Sequence, residues 1–184
     1  VYFVDLFANH FDVDLAHAFV AILEHHGISV YIPTPQLSSA MPMISQGDLE
    51  RAKILASRNV AVLADAVRQG YRVVATEPSA ALCLTQEYPG LIGDSDAELV
   101  AENTSEACDY FWNMHLNGKL ELDLKPLSTY VAYHEPCHSR ALQTNSAGKK
   151  LLELIPGLTV QSIDKGCSGM AGIYGLRQKN FRTS

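Results

Sequence analysis

The spacing of apolar and polar positions changes along the chain, and each change predicts an element. Residues 1–7 are apolar apart from Asp5, as in a strand buried on both faces of a parallel sheet. Asp12 or Asp14 is placed to cap the next helix. Leu15, Phe19, Ile22 and Leu23 give that helix one apolar stripe, and Gly27 stops it. Residues 28–32 read as a second strand. Pro33 and Pro35 end it and open a loop through Ser38-Ser39-Ala40-Met41-Pro42. Gly47-Asp48 opens a long helix whose buried face is Ala52, Leu55, Ala56, Val60, Leu63 and Val67, and Gly70 closes it. Residues 72–76 read as a strand. Pro78-Ser79 starts a helix, with Ser79 in capping range, and it is expected to end near Tyr88-Pro89-Gly90. Residues 97–116 read as one helix with Leu99, Ala107, Tyr110, Phe111 and Met114 inward. Residues 120–128 form a connector of alternating acids and leucines.

Strand and helix patterns then repeat. Residues 129–134 are a strand, Ser146 is expected to cap a helix ending at Ile155-Pro156-Gly157, and residues 158–163 are a further strand. This alternation predicts an α/β fold with mostly parallel sheets. The two ends of the chain also share an order of features. Leu6 precedes Ser38 by 32 positions and Cys137 precedes Cys167 by 30. Each pair brackets a helix and a Gly-x-x-Val strand start, at Gly27 and at Gly157. Two pseudo-repeated βαβ halves are expected, with their turns at the carboxyl ends of the strands, where open α/β sheets bind ligands.

Composition narrows the chemistry. Of the 184 residues, 47% are hydrophobic and 18% charged, enough apolar chain for a substantial core. A net charge of −6 and the lack of a basic run exclude a nucleic-acid surface. No apolar stretch reaches the ~18 residues of a membrane helix, and residues 1–7 lack the pattern of a signal peptide. The four cysteines, at 83, 108, 137 and 167, are irregularly spaced. They predict reduced thiols in the cytoplasm rather than a disulfide framework.

Two motifs carry candidate chemistry. Tyr133-His134-Glu135-Pro136-Cys137-His138 places a thiol between two imidazoles at the end of a strand. Gly166-Cys167-Ser168-Gly169-Met170-Ala171-Gly172 places another thiol in a glycine-rich turn. Thiolate and imidazole are the ligands of zinc and iron–sulfur centres. His134 and His138 fit as hydrogen-bond donors around the sulfur, and Cys137, His138 and Cys167 leave a zinc site as an alternative. His25 and His26 suit a helix carboxyl terminus. Asp5, Asn9, His10 and Asp12 crowd the first turn, either as the lining of a pocket or as a capped loop. The glycines at 169, 172 and 175 do not make a dinucleotide fingerprint.

With both ends in view, the chain resembles the cysteine-rich CCG-domain family. That family includes the heterodisulfide reductase B subunit, the iron–sulfur subunit of glycolate oxidase and the C subunit of anaerobic glycerol-3-phosphate dehydrogenase. The likeness is most specific in the His134–His138 motif, in Ile155-Pro156-Gly157-Leu158, in Gly169-Met170-Ala171-Gly172-Ile173-Tyr174-Gly175 and in Glu87-Tyr88-Pro89. The family pattern is a Cys, then Cys-Cys-Gly, then Cys-x-x-Cys, in two copies. In the first copy Leu6, Ser38-Ser39-Ala40 and Glu77-Pro78-Ser79-Ala80 stand at those positions, so that site is expected to be empty. In the second, Cys137 and Cys167 remain as metal ligands, Ser168 replaces the second Cys of the pair, and the final Cys-x-x-Cys is expected beyond Ser184.

The resemblance implies a degenerate first half with its connector over residues 1–128 and a truncated second half over 129–184. It implies an electron-transfer domain of an FAD-dependent oxidoreductase acting on a 2-hydroxy acid (lactate or glycolate) or glycerol 3-phosphate. Cys137, Cys167, His134, His138 and Ser168 would surround an iron–sulfur cluster in the full-length parent. The flavin would sit in a partner domain or subunit, beside a ferredoxin-like iron–sulfur module. This stretch itself would carry no catalytic residue. The protein would be cytoplasmic, or peripheral on the inner face of the membrane through its partners. A cluster-free docking domain and a small zinc-binding domain are the alternatives.

Overall fold

The computed structural model describes residues 1–183. Strands β1 (Tyr2–Phe3), β2 (Val73–Ala75) and β3 (Thr104–Glu106) form a parallel sheet in that order. Tyr2 pairs with Val74, and Val73 with Thr104. Helices α1 (Leu6–His10), α2 (Val13–His25), α3 (Met41–Ile44) and α4 (Leu49–Arg68) lie between β1 and β2 in sequence. Between β2 and β3 run α5 (Pro78–Leu82), a π-helical turn (Cys83–Glu87), α6 (Tyr88–Ile92) and α7 (Ser95–Glu102).

Both faces of this sheet are covered. Phe3, Val73 and Ala75 pack with Val60, Leu63, Leu84, Tyr88 and Val100 on one side. Tyr2 and Val74 pack on the other side with Phe19 and Leu23 of α2 and with Phe111 and Met114 of α8 (Ala107–Leu116). The Tyr2 and Phe19 rings sit 4.7 Å apart, and Phe19 and Phe111 5.5 Å. Burial on two faces is why β1 and β2 are apolar at successive positions. Asp12 caps α2 as read from the sequence, accepting from Leu15 N at 3.2 Å, and Asp48 at the opening of α4 accepts from Arg51 N at 3.4 Å.

Four elements differ from the sequence reading. The first strand stops at Phe3, and residues 6–10 are helical. Residues 28–32 run beside β1, with Tyr2 N donating to Tyr31 O at 2.9 Å, yet form no strand. A parallel ladder would return the Tyr2 carbonyl to the N–H of residue 33, and Pro33 has none. The Gln36 side chain donates to Val4 O instead, at 2.6 Å. The helix predicted over 97–116 is broken by β3. Asn103 Nδ2 and Thr104 Oγ1 satisfy the carbonyls of Leu99 and Val100 at 2.9 and 2.7 Å, ending α7. Glu106 then caps α8 through Asp109 N at 3.1 Å. The helix begun at Pro78 runs past Pro89 to Ile92 and stops at Gly93, with φ 74°. The π turn before it accommodates a residue without an N–H.

The second sheet pairs β4 (Thr129–His134) with β5 (Leu158–Ile163), parallel and in register from Thr129 against Leu158 to His134 against Ile163. Between them lie α9 (Cys137–Ala141) and α10 (Ala147–Glu153). Helix α10 packs on α8, where the Tyr133 ring lies close over Gly148, so close that a Cβ there would meet the hydroxyl at 2.7 Å. Ser146 does not cap α10. Its hydroxyl donates to Glu135 Oε2 at 3.0 Å. Short 3-10 turns follow at Ala171–Ile173 and Gln178–Asn180. Among the described residues no helix is long and apolar enough to cross a membrane.

One buried polar side chain fixes the loop between β1 and α4. Asn59 of α4 accepts from Leu37 N at 2.8 Å and donates to Ser38 O and the Tyr88 hydroxyl, both at 3.0 Å. Substituting Asn59→Leu removes the partner of Leu37 N and of Ser38 O and leaves the Tyr88 hydroxyl with its Ser39 bond alone. It should lower unfolding stability by about 2–4 kcal/mol, read as a fall in the urea midpoint at unchanged slope. A change under about 0.5 kcal/mol, the size of an ordinary surface substitution, would remove this role.

Candidate functional site

At the carboxyl end of the first sheet, turns from three segments converge. Asp5 follows β1, Ser39 comes from the loop fixed by Asn59, and Glu77 follows β2. Asp5 Oδ1 accepts from Ser39 N at 2.9 Å, and Oδ2 accepts from the Ser39 hydroxyl at 2.5 Å. Glu77 Oε1 accepts from Phe7 N and Ala8 N, at 2.8 and 3.0 Å, at the start of α1. Leu6 and Ser38 line one cavity of about 280 Å³ with Asp5, Asn9 and His10. Of the residues read as replacements for ligands, Leu6, Ser38, Ser39 and Glu77 therefore gather here, while Ala80 is buried in α5 as part of the core. Asp5, weighed as part of a capped loop, is instead bonded across 34 residues to Ser39.

Burial governs the charges here. It raises the Asp5 carboxyl above its usual range against the opposing pull of the Ser39 bonds. Burial also raises Glu77 to about 7, opposed by the Ala8 N–H and helped by the Asp5 charge. Cys83, fully buried beneath Ser39, is pushed up to about 12 and is a protonated thiol. Tyr88 closes the cluster by donating to Ser39 O at 3.1 Å. Asn59, Cys83 and Tyr88 were missed as members of this site. The available signal was an asparagine on the stripe Ala56, Val60, Leu63, where only a polar residue with buried partners fits.

At the carboxyl end of the second sheet stand the two thiols. Cys137 opens α9 after β4, and Cys167 lies in the turn after β5. Because β4 and β5 end in register, these turns meet, and Cys137 Sγ lies 3.2 Å from Cys167 Sγ. Gly169 N donates to Cys167 Sγ at 3.2 Å. That bond, with the Cys137 thiol and Arg140, lowers the Cys167 pKa. Burial and the neighbouring sulfur raise that of Cys137. The His134 ring donates from Nε2 to Gly166 O at 2.5 Å and holds the turn. His138 Nδ1 pairs with the Ser79 hydroxyl at 2.9 Å. Burial lowers its pKa against the charge of Glu87, which keeps the ring neutral near pH 7. Ser79, expected as a helix cap, is thus the link between the ends of β2 and β4. Ser168 follows Cys167 with its side chain exposed.

The donor set can be tested against the groups that the sequence suggests. Tetrahedral zinc, with Zn–S near 2.3 Å, holds two thiolates about 3.8 Å apart, within about 0.6 Å of this pair. A [4Fe–4S] cluster takes four thiolates. Among the described residues no group of three or more Cys, His, Asp or Glu converges as a metal site, and His134 and His138 are turned to Gly166 and Ser79. The described residues therefore supply two donors and do not complete either set. His25 and His26 have another task. His26 Nδ1 donates to Ile22 O at 2.7 Å and its Nε2 accepts from Glu121 N at 3.0 Å, while His25 lies 3.2 Å from Asp123. They fasten the connector over residues 120–128.

Comparison with known proteins gives relatives along the whole chain. It is 30% identical over 184 residues to the C subunit of the anaerobic glycerol-3-phosphate dehydrogenase of Escherichia coli (strain K12), covering all of this chain and 46% of the relative. It is 27% identical over 163 residues to the B subunit of the fumarate reductase (CoM/CoB) of Methanothermobacter marburgensis, covering 86% of this chain and 30% of the relative. It is 25% identical over 183 residues to the lactate utilization protein A of Bacillus cytotoxicus, covering 95% of this chain and 73% of the relative. The chain thus spans less than half the length of the first two. No protein-family model matches it.

The acidic cluster has a pH signature. With Glu77 raised to about 7, the folded state keeps a proton that the unfolded state releases above about 4.5. The stability this gives is complete below pH 4.5 and is lost as the pH rises to 7, and Asp5 acts in the same sense. The melting temperature should therefore fall between pH 5 and 7.5, and Glu77→Gln should flatten that slope. An equal slope in the variant would contradict the assignment.

Proposed function

We propose, for a chain that belongs to the cysteine-rich CCG-domain family, that it is an electron-transfer domain of an oxidoreductase. The observation that carries this reading is the Cys137–Cys167 pair, 3.2 Å apart where β4 and β5 end. Thiolates at the carboxyl edge of a parallel sheet are the soft donors an iron–sulfur centre requires, and the relatives are named as subunits of a dehydrogenase and a reductase.

In this reading Cys137 and Cys167 hold half of a cluster, and further thiols of the longer parent, beyond the described residues, complete it. His134 fixes the turn that carries Cys167, and His138 ties α9 to the first sheet through Ser79. A cluster bound there supplies one-electron transfer. Residues 1–128 form a first half whose equivalent site is filled by Asp5, Ser39 and Glu77 in place of soft ligands, and residues 129–184 form the second half. The electron donor is a flavin in a partner domain or subunit that oxidises a 2-hydroxy acid or glycerol 3-phosphate, beside a ferredoxin-like module. Any membrane association comes through those partners.

The test is anaerobic reconstitution of the protein extended beyond residue 184, with iron and sulfide. The extended protein should bind iron and develop visible absorbance, and Cys137→Ala should abolish that gain, because a cluster of this kind is held by four thiolates. Absence of iron from the extended protein, or iron unchanged by Cys137→Ala, would overturn the proposal.

A further inference from the structure

We propose that Cys137 and Cys167, in the metal-free chain, form a redox dithiol that a low-molecular-weight disulfide such as oxidised glutathione converts to an intramolecular disulfide. The geometry carries this. The two sulfurs already touch, at 3.2 Å, and a disulfide bond is about 2.05 Å long, so closure requires them to approach by about 1.1 Å. The two residues are held differently. Cys137 is fixed at the start of α9. Cys167 is exposed, in a turn without regular structure between β5 and the first 3-10 turn. Gly166 and Gly169, at φ 80° and 71°, flank it, and the space beside Gly166 is open. The exposed sulfur can therefore swing onto the fixed one.

The other two thiols are excluded by position. Cys83 is fully buried in the helical run after β2, and Cys108 sits in the first turn of α8, facing Glu106. Neither is placed to compete with a partner in contact.

The reaction balances without metal or oxygen. The exposed Cys167 thiolate attacks one sulfur of oxidised glutathione. The glutathione S–S bond breaks, a mixed disulfide forms on Cys167, and one glutathione thiolate leaves and takes a proton. Cys137 then loses its proton and attacks Cys167 Sγ, which forms the Cys137–Cys167 bond and expels the second glutathione. Two protein thiols are oxidised, and one molecule of oxidised glutathione is reduced to two of the thiol. This chemistry does not rest on the cluster reading. If that reading holds, the disulfide removes both soft donors, so the glutathione balance decides whether the site can be loaded.

The experiment equilibrates the metal-free chain in glutathione buffers of graded ratio, quenches with an alkylating reagent and counts thiols by mass spectrometry. Free thiols should fall from the four of the chain to two in a single step. Peptide mapping should show Cys137 joined to Cys167, with Cys83 and Cys108 still reduced. Cys137→Ser should stop at a mixed disulfide on Cys167. Cys167→Ser should slow the reaction with oxidised glutathione at least tenfold. Four free thiols at every ratio, mixed disulfides without a cross-link in the unsubstituted chain, or a cross-link through Cys83 or Cys108 would each overturn the proposal. Because no iron is present, failure here is distinguishable from failure of the extended protein to bind iron.

Discussion

Parallel pairing is the constraint from which the rest follows. It sends every strand-to-helix turn to the carboxyl edge of its sheet. Asp5 and Glu77 follow β1 and β2 there, and Cys137 and Cys167 follow β4 and β5. The Ser79–His138 hydrogen bond at 2.9 Å then brings the two edges together. A second contact, from the Ser45 hydroxyl to Gly172 O at 3.0 Å, docks the segment after Cys167 against α3.

The two edges use the same scaffold position for opposite chemistry. At the first, two carboxyl groups are buried and must be satisfied by Ser39 and by the backbone of α1. Burial of an unpaired carboxylate is costly, so protonation and hydrogen bonding divide the load. Asn59 and Tyr88 hold the loop that makes this possible. At the second edge the strands are exposed on much of both faces, and the thiols remain open to solvent and to soft electrophiles or metals. The first edge is a closed polar plug, and the second is a reactive one.

Much of this was legible in the sequence because the signals were local and strong. The capped helices α2 and α4 followed from Asp12, Asp48 and their apolar stripes. Strands β4 and β5 followed from their length and from the motifs after them, and their matched turns anticipated the meeting of Cys137 with Cys167. The failures have two causes: at Thr104–Glu106 and at Asp5 a long-range partner overrode a local pattern, and at residues 28–32 and at Pro89 the backbone chemistry of a proline did. Thr104–Glu106 reads as helix until β2 is there to pair with it. Residues 28–32 read as a strand, yet Pro33 removes the second ladder bond that β1 would need. Asp5 looks like a local cap, and only the folded loop reveals Ser39 as its partner.

The central claim is that parallel pairing makes one site of Cys137 and Cys167. Titration of the reduced chain with phenylarsine oxide, which is held tightly only by two adjacent thiols, tests it most directly. The account predicts one equivalent bound per chain, lost in both Cys137→Ser and Cys167→Ser and retained in Cys108→Ser. Absence of binding, or binding that survives Cys137→Ser, would contradict it.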